Sequence, residues 1–495
     1  MMKRRAFCKS TLLGGALAAV SAFRASSCAA EPRASGFQDI SGVKLSGDPT
    51  VIPASDVRDF AASLRGRLIT ATDPDYDRAR RIWNKMIDRR PALIACCTGA
   101  ADVVEAVRFA RQRNLLVAVR GGGHSFPGYS TCNGGLVIDL SLLHGVRVDP
   151  LSKTAQVAGG AWIGDLDWES QHYGLATPMG KASNTGIGGL TLGGGYGRLS
   201  RLYGLACDNV LSVDLITADG KFLHASATEN PDLFWAVRGG GGNFGVVTHF
   251  EYKLHEVGSQ VLAGELTYAP TQLRQVLEYY GEFTARAPRE LTLDFVVSPD
   301  ERGFRTPVLV FCFAGRLSIG ERLLQSLRTT THPLRDDVRA QDYVKLQKEA
   351  DGPPLSDYAQ YVKSGYVNVL TSELIDAIVQ EPGRVGLSLM GGATAEVATT
   401  ATAVSHRREL FQLGTSAVWQ DPGDNDRHRA AVHAIWDRLS PFASGFYANL
   451  TNVDQKFVDD NFGPNRHRLM EIKRKYDPGN LFRLNPNVLP ATDPT

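Results

Sequence analysis

The sequence has little excess charge of either sign. Its 495 residues include 54 lysines and arginines and 52 aspartates and glutamates, which gives a formal net charge of +2. No basic stripe stands out, so nucleic acid is not expected as a partner. With 43% hydrophobic residues, the chain is too apolar and too evenly charged to be disordered. Its length favours two or three globular domains.

Long uncharged apolar runs are also missing after residue 30, so no membrane span is expected. One short run, TLLGGALAAVSAF (11–23), has 13 residues and follows three basic ones, Lys3 to Arg5. A small-residue stretch ends at Cys28-Ala29-Ala30, and together these features are typical of a cleaved signal peptide over residues 1–30. Because RRAFCK resembles a twin-arginine signal, we expect export of the folded protein to the periplasm or the medium. Lipidation at Cys28 is the alternative, although the residues before it suit a lipoprotein signal poorly.

Cysteines are few and irregularly spaced. The signal peptide accounts for two of the seven, which leaves five: Cys96, Cys97, Cys132, Cys207 and Cys312. An odd number without metal or redox spacing predicts neither a metal site nor a disulfide framework, although a single bridge stays open. The adjacent Cys96 and Cys97 lie in an apolar segment and are expected in the core.

Two common nucleotide-binding motifs are absent: the P-loop with its GK[ST] ending, and a strand-GxGxxG-helix fingerprint followed by an acidic residue. The chain instead has 50 glycines, concentrated in RGGGHS (120–125), GIGGLTLGGGYG (186–197) and RGGGGNFG (238–245). Such loops let backbone amides approach an anion, but each one alone fits an ordinary tight turn equally well. Three within about 125 residues indicate a large cofactor with a diphosphate, held outside a Rossmann fold.

The segments around these loops alternate between strand and helix patterns. ALIACC (92–97), LLVAVR (115–120), LVIDL (136–140) and TAQVAGG (154–160) read as strands, and VLSVDLITADG (210–220) as a strand that ends in a hairpin turn. An apolar stripe from Val103 to Ala110 predicts a helix that Thr98 could cap and Asn114 could end. A charged helical piece is expected around Asp75–Asp88. From residue 258, helices such as 273–283 alternate with strands such as 304–315, which suggests a second α+β lobe.

Four motifs, taken together and in this order, resemble those of one protein family. They are RGGGHS, SNTGIGGLTLGGGYGRLSR (183–201), NPDLFWAVRGGGGNFGVVT (230–248) and a terminal segment from Tyr447 to Asn487. Over roughly residues 75–490 the chain resembles the berberine-bridge-enzyme-like branch of the vanillyl-alcohol-oxidase flavoproteins. The resemblance implies an α+β fold with two lobes. A PCMH-type FAD-binding domain of two α+β subdomains (75–257) follows a leader (31–74). A substrate domain (258–440) has an antiparallel sheet covered by helices, and residues 441–495 return to the FAD domain.

The same resemblance assigns the site residues. It implies that His124 bonds covalently to the flavin and that Tyr447 and Asn449 face the substrate, Asn449 also touching the cofactor. The other implied FAD contacts are Arg120, Gly121, Gly122, Gly123, Ser125, Ser183, Asn184, Gly188, Gly189, Gly193, Gly195 and Val247.

One position departs from the family pattern. Many relatives attach the flavin a second time through a cysteine, and this chain has Ala182 there. Cys132 does not occupy that position. We therefore expect one covalent link, through His124, and a smaller substrate than the oligosaccharides of doubly linked relatives.

The expected reaction is hydride transfer from an alcohol, amine, small sugar or secondary metabolite to FAD, with O2 favoured as acceptor and peroxide as product. Tyr447 is the candidate general base, but its ordinary pKa of about 10 would have to fall, and it could instead only position the substrate. His406 could line the cavity, although a structural role is the stronger interpretation. The alternatives are a dehydrogenase or oxidative-cyclisation enzyme, a catalytically silent flavin-binding protein, and a purely structural glycine-rich domain.

Overall fold

The computed structural model describes residues 36–351, 358–451 and 455–492. The signal peptide predicted at residues 1–30 lies outside these ranges. Within them, none of the helices combines the length and apolarity that crossing a bilayer requires. The chain forms a mixed α+β fold of two lobes, one built on two sheets and the other on one large sheet.

The first lobe contains two sheets joined by helices. The first group of elements is β1 (Ile40–Val43), β2 (Pro49–Ile52), α1 (Ala54–Ser63), β3 (Arg67–Ile69), α2 (Tyr76–Ala79), β4 (Leu93–Cys96), α3 (Ala100–Gln112), β5 (Val117–Arg120) and β6 (Leu136–Asp139). Of these, β1 and β2 form a separate two-stranded sheet. The second group is β7 (Val146–Asp149), β8 (Thr154–Ala158), α4 (Ile163–Gln171), β9 (Leu175–Ala176), α5 (Ile187–Leu192), α6 (Ser200–Tyr203), β10 (Val210–Ile216), β11 (Phe222–Ser226), α7 (Pro231–Val237), β12 (Val246–Lys253) and β13 (His255–Glu256).

The first sheet has the order β3-β4-β6-β5, with β4 and β5 both parallel to β6. The apolar stripe of α3, from Val103 to Ala110, is buried against it, as its spacing predicts. The second sheet is antiparallel, in the order β11-β10-β12-β8-β7. Between β10 and β11 the hairpin turns at Gly220, whose φ of 76° suits glycine.

Three expectations for this lobe need correction or extension. Thr98 does not cap α3, because its amide and hydroxyl both donate to the Asp102 carboxylate at 2.8 Å. The helix expected around Asp75–Asp88 ends at Ala79. There the carbonyl of Ala79 accepts from Arg120, and the amide of Trp83 donates to Gly123 at 2.9 Å instead of closing the next helical turn. Residues 54–69, within the expected leader, supply α1 to the core and β3 to the first sheet.

The second lobe has one sheet of eight antiparallel strands. Its strands are β14 (Gln260–Thr267), β15 (Leu291–Pro299), β16 (Arg305–Phe313), β17 (Arg335–Asp336), β18 (Arg339–Asp342), β19 (Ala359–Val367), β20 (Arg384–Leu389) and β21 (Phe411–Trp419). The main order is β17-β14-β16-β15-β20-β21-β19, and β18 pairs with β14. The helices are α8 (Leu273–Thr284), α9 (Leu317–Thr331), α10 (Tyr343–Glu349), α11 (Ser372–Gln380), α12 (Ala393–Glu396) and α13 (Asn425–Leu439).

Helices α8, α9, α11 and α13 pack on one face of this sheet and bury its largest apolar cluster. Side chains alternate between the two faces of a strand, so the other face is free to meet the first lobe. The chain ends with α14 (Gln455–Phe462) and α15 (Arg466–Tyr476), whose Leu469 and Ile472 join the core of the second sheet in the first lobe.

Candidate active site

One cavity of about 640 Å³ collects most of the residues to which the sequence assigns chemistry. It is lined by residues of the three glycine loops, by the terminal segment and by three side chains of the large sheet. A volume of this size is typical of ligand and cofactor sites. Because both lobes contribute to its walls, the cavity lies where a ligand of the first lobe would meet the free face of the eight-stranded sheet of the second lobe, which we call the substrate sheet.

The glycine loops can approach a ligand closely because side chains are missing where they meet. A Cβ on Gly122 would lie 2.4 Å from the Cα of Gly186, so the first two loops touch backbone to backbone. Gly189 has no protein atom within 4 Å of the place of its missing Cβ, and its open side belongs to the cavity lining. Gly123 has a φ of 71°, a conformation that glycine adopts without strain. These loops therefore fit an extended cofactor with a diphosphate.

His124 lies on the cavity wall with its ring stacked on Trp83, at a centroid distance of 4.4 Å. Burial lowers the pKa of His124 to about 4. The imidazole is therefore neutral near pH 7, and a ring nitrogen keeps the lone pair that a bond to carbon requires. The backbone amide of Trp83 donates a hydrogen bond to the carbonyl of Gly123, within the loop that carries His124, and so holds Trp83 in place. Trp83 was not predicted from the sequence, because a lone tryptophan gives no pattern.

Tyr447 and Asn449 lie together on the cavity wall. The Tyr447 hydroxyl accepts hydrogen bonds from the Asn449 amide at 3.0 Å and from the backbone amide of Tyr196 at 3.2 Å. Burial raises the pKa of Tyr447, and these donors only partly oppose the shift. The lowered pKa that a base near neutrality would need is therefore absent in this state. Asn449 also donates to the carbonyl of Leu190 at 3.0 Å, so it connects Tyr447 to the second glycine loop.

The other expected cofactor residues divide into two groups. Lining the cavity are Gly121, Gly122, Gly123, Ser125, Gly188, Gly189, Gly193 and Val247. Arg120, Ser183, Asn184 and Gly195 are not among the lining residues. The buried Arg120 guanidinium forms an ion pair with Asp139 at 2.6 Å and so supports the first glycine loop from outside the cavity lining. The Ser183 hydroxyl donates to the Asp351 carboxylate at 2.6 Å, and the backbone amide of Asn184 donates to it at 3.0 Å.

Ala182, at which the resemblance implies a second flavin attachment in many relatives, lies on the cavity lining. Cys132 does not line the cavity, and burial raises the pKa of its thiol to about 12. His406 does not line it either. It pairs with Glu409 at 2.9 Å and stacks on Tyr366, which fits the structural interpretation.

Several polar lining residues were not predicted from the sequence, among them Lys181, Arg384, Ser388 and Gln412. The Lys181 ammonium pairs with Asp294 at 2.5 Å and donates to Ser388 at 3.1 Å. The last three lie on β20 and β21, and Arg384 and Ser388 share one face of β20. The alternation in RVGLSL (384–389) was a usable signal for a half-buried strand, but it does not say what the polar face meets.

Comparison with known proteins agrees with this geometry. Residues 91–226 match the family model of an FAD binding domain, and residues 446–489 match the model described as berberine and berberine like. An (R)-6-hydroxynicotine oxidase of Paenarthrobacter nicotinovorans is 34% identical, over 86% of this chain and 97% of its own length. An FAD-linked oxidoreductase of Dictyostelium discoideum is 30% identical, over 88% of this chain and 97% of its own length. The crystal structure of 6-hydroxy-D-nicotine oxidase from Arthrobacter nicotinovorans superposes with a TM-score of 0.79 at 30% identity, and covers 86% of this chain and 98% of that one.

Proposed function

This chain belongs to the berberine-bridge-enzyme-like FAD-linked oxidoreductases, and from that membership we propose that it carries FAD on a single covalent link through His124. Its activity is that of an FAD-linked oxidase acting on a small molecule. We further propose O2 as the electron acceptor, with release of peroxide. The observation that carries the proposal is one shared cavity, lined by three glycine loops, His124, Tyr447 and the free face of the substrate sheet.

The single link rests on two positions. His124 is neutral, lies on the cavity wall, and is fixed in orientation by its stacking on Trp83. Ala182, at the other attachment position, has no nucleophilic atom. Bound FAD would supply the hydride acceptor, and the redox chemistry belongs to it.

The protein's own part is to hold the substrate and to remove a proton from its heteroatom. We assign the removal of that proton to Tyr447, whose hydroxyl lies on the cavity wall, and we assign Asn449, which donates a hydrogen bond to that hydroxyl, the role of a positioning residue. The raised pKa of Tyr447 keeps the phenol protonated at neutral pH. A base role therefore requires that substrate binding lowers this pKa.

We also propose that the protein is exported through the twin-arginine signal of residues 1–30. That route carries folded proteins, so the flavin would be attached before export. A covalent link would then prevent loss of the cofactor where free FAD is scarce.

The link is tested by denaturing mass spectrometry of the purified protein with peptide mapping. We expect the mass of one FAD on the peptide that contains His124. His124→Ala should remove that mass but keep dissociable flavin, and His172→Ala, at an exposed histidine, should keep the link. Free FAD in the wild-type sample would refute the link alone, whereas no FAD at all would refute the proposed function.

The acceptor is tested separately. Peroxide released in proportion to substrate oxidised supports an oxidase. Turnover only with an artificial acceptor would favour a dehydrogenase.

A further inference from the structure

The cavity contains one cation that forms no ion pair in the described part of the chain, and the Glu265 carboxylate acts on it only at longer range. Lys181 and Arg384 are the charged residues among its described lining residues, and no aspartate or glutamate belongs to that lining. The ammonium of Lys181 is neutralised by Asp294 at 2.5 Å. The guanidinium of Arg384 has one hydrogen bond, to the neutral hydroxyl of Ser298 at 2.9 Å, and no ion pair within the described part of the chain. A guanidinium so placed is suited to a ligand carboxylate.

Arg384 lies away from the glycine loops, at the beginning of a strand in the substrate sheet. Ser388 is four residues further along the same strand and the same face, about 13 Å away at about 3.3 Å per residue. Its direct neighbour on β21 is Gln412, whose own neighbour on β19 is Tyr366. Tyr366 belongs to the small aromatic cluster that includes Tyr447. The Ser388 end of the strand is thus the reacting end, and Arg384 marks the opposite end.

Between the two ends, neither strand of the β20–β21 pair carries a side chain on this face. Gly386 follows Arg384 on the same face and pairs directly with Gly414 on β21. The missing Cβ of Gly386 has nothing nearer than a carbonyl oxygen at 3.8 Å, so no protein side chain occupies the space above it. We call Arg384, Gly386, Gly414, Ser388 and Gln412 the glycine shelf. It offers room for a slender or planar body along the strand direction.

The reacting end of the shelf has an unused donor. The side-chain nitrogen of Gln412 is buried and has no hydrogen-bond partner among the described residues. Leaving such a group unpaired costs about 1–3 kcal/mol, so a ligand acceptor at this place would remove that cost. The two ends of the shelf are therefore suited to different ligand groups: a neutral hydrogen-bond acceptor beside Gln412 and an anion beside Arg384.

We propose that the substrate is an elongated organic anion, whose carboxylate is bound by Arg384 while its oxidised end lies beside Gln412 and Tyr447. This inference rests on the proposed function, because it assigns the substrate class of the same cavity. It makes Arg384 a specificity-determining residue that acts on binding and takes no part in the chemical step. Acids that reach both ends of the shelf should bind much more tightly than neutral molecules of the same shape.

The test uses the flavin-containing protein and a series of ω-phenyl carboxylates of increasing chain length, each compared with its primary amide. Binding is followed by the change in the flavin absorption spectrum. For the wild type we expect the acid to bind at least about tenfold more tightly than its amide, with a preference that grows with chain length. Arg384→Gln should abolish the preference, and Arg384→Lys should keep part of it. Arg339→Gln, at an exposed arginine of the same lobe, should leave it unchanged.

Two results would overturn the inference: equal binding of acids and amides by the wild type, or an undiminished acid preference in Arg384→Gln. The flavin content of every variant is measured first. A protein without flavin refutes the proposed function itself, whereas a flavin-loaded protein without acid preference refutes only the role of Arg384. If Arg384→Gln does not fold, the Arg384→Lys variant and the salt dependence of acid binding decide, because a preference based on charge must weaken as salt is added.

Discussion

At the scale of single residues, Tyr447 combines a suitable position with an unsuitable resting pKa. Its hydroxyl is on the cavity wall and accepts two hydrogen bonds, yet burial raises its pKa. If Tyr447 is the base, its reactive phenolate is scarce at neutral pH and increases as pH rises. The rate of flavin reduction should then rise with pH across the neutral and mildly alkaline range.

Tyr447→Phe is expected to slow flavin reduction by about 10²–10⁴-fold, the usual contribution of a general base, and to remove the pH dependence. The measurement is anaerobic stopped-flow reduction of the flavin at several pH values. Tyr203→Phe serves as control, because its hydroxyl bonds to Glu256 outside the cavity lining. Reduction of Tyr447→Phe at the wild-type rate would leave Tyr447 only a positioning role.

At the scale of elements, the glycine loops must pack against each other and must also leave room for the cofactor, and substitutions can separate these two requirements. An alanine at position 122 would bring its Cβ to 2.4 Å from a backbone atom of the second loop, whereas an alanine at 189 meets no protein atom. We expect Gly122→Ala to lower both the melting temperature and the flavin content. Gly189→Ala should leave the fold stable but reduce the flavin content, since its methyl group enters the cavity. Gly99→Ala, also free of contacts, is the control for both.

Thermal unfolding and the ratio of flavin to protein decide between these outcomes. Normal flavin content in Gly189→Ala would show that the open side of this loop does not meet the cofactor.

Helix α4 carries a buried acid that makes stability depend on pH. Burial raises the pKa of Asp167 from its ordinary 3.8 to about 7. Between these values the folded protein keeps a proton that the unfolded chain has released. The stabilisation is therefore complete below about pH 4 and is lost as pH rises through about 7. Asp167→Asn should flatten the fall in melting temperature between pH 5 and 8. Glu169→Gln, on the exposed side of the same helix, should not, and equal slopes in all three proteins would contradict the buried pKa.

Patterns within one element were predictable from the sequence, and contacts between elements were not. The stripe from Val103 to Ala110 determines both the helix and its buried face, because periodicity alone specifies them. The helix expected around Asp75–Asp88 stops early because Arg120 and Gly123 take the backbone partners of the next turn. No local sequence pattern indicates that these backbone groups have partners elsewhere in the chain.

The same difference applies to the site. The glycine loops and His124 were found because they lie in contiguous motifs. Arg384 and Gln412 were missed because they lie on two different strands of the second lobe, β20 and β21, and line one cavity only once those strands pair. Their spacing in sequence contains no sign of the cavity that they share.

At the scale of the whole molecule, the terminal segment closes the cavity. Phe482, Leu484 and Asn485 line it, and one buried network holds this segment in place. The ammonium of Lys473 on α15 pairs with Asp477 at 2.6 Å and donates to the carbonyls of Asn243 and Phe482. Asn243 lies in the third glycine loop, so one side chain connects the end of the chain to the cofactor loops.

Lys473→Met should leave the Asp477 carboxylate buried without its cation, a change that typically costs about 3–5 kcal/mol. We expect a lower melting temperature and a lower flavin content together, because the same network positions the third loop and the terminal wall. Lys475→Met is the matched control on the same helix. Its pair with Asp232 is largely exposed and should contribute no more than about 1 kcal/mol. If Lys473→Met lost stability but kept full flavin occupancy, the network would stabilise only α15, and the cofactor loops would not depend on the terminal segment.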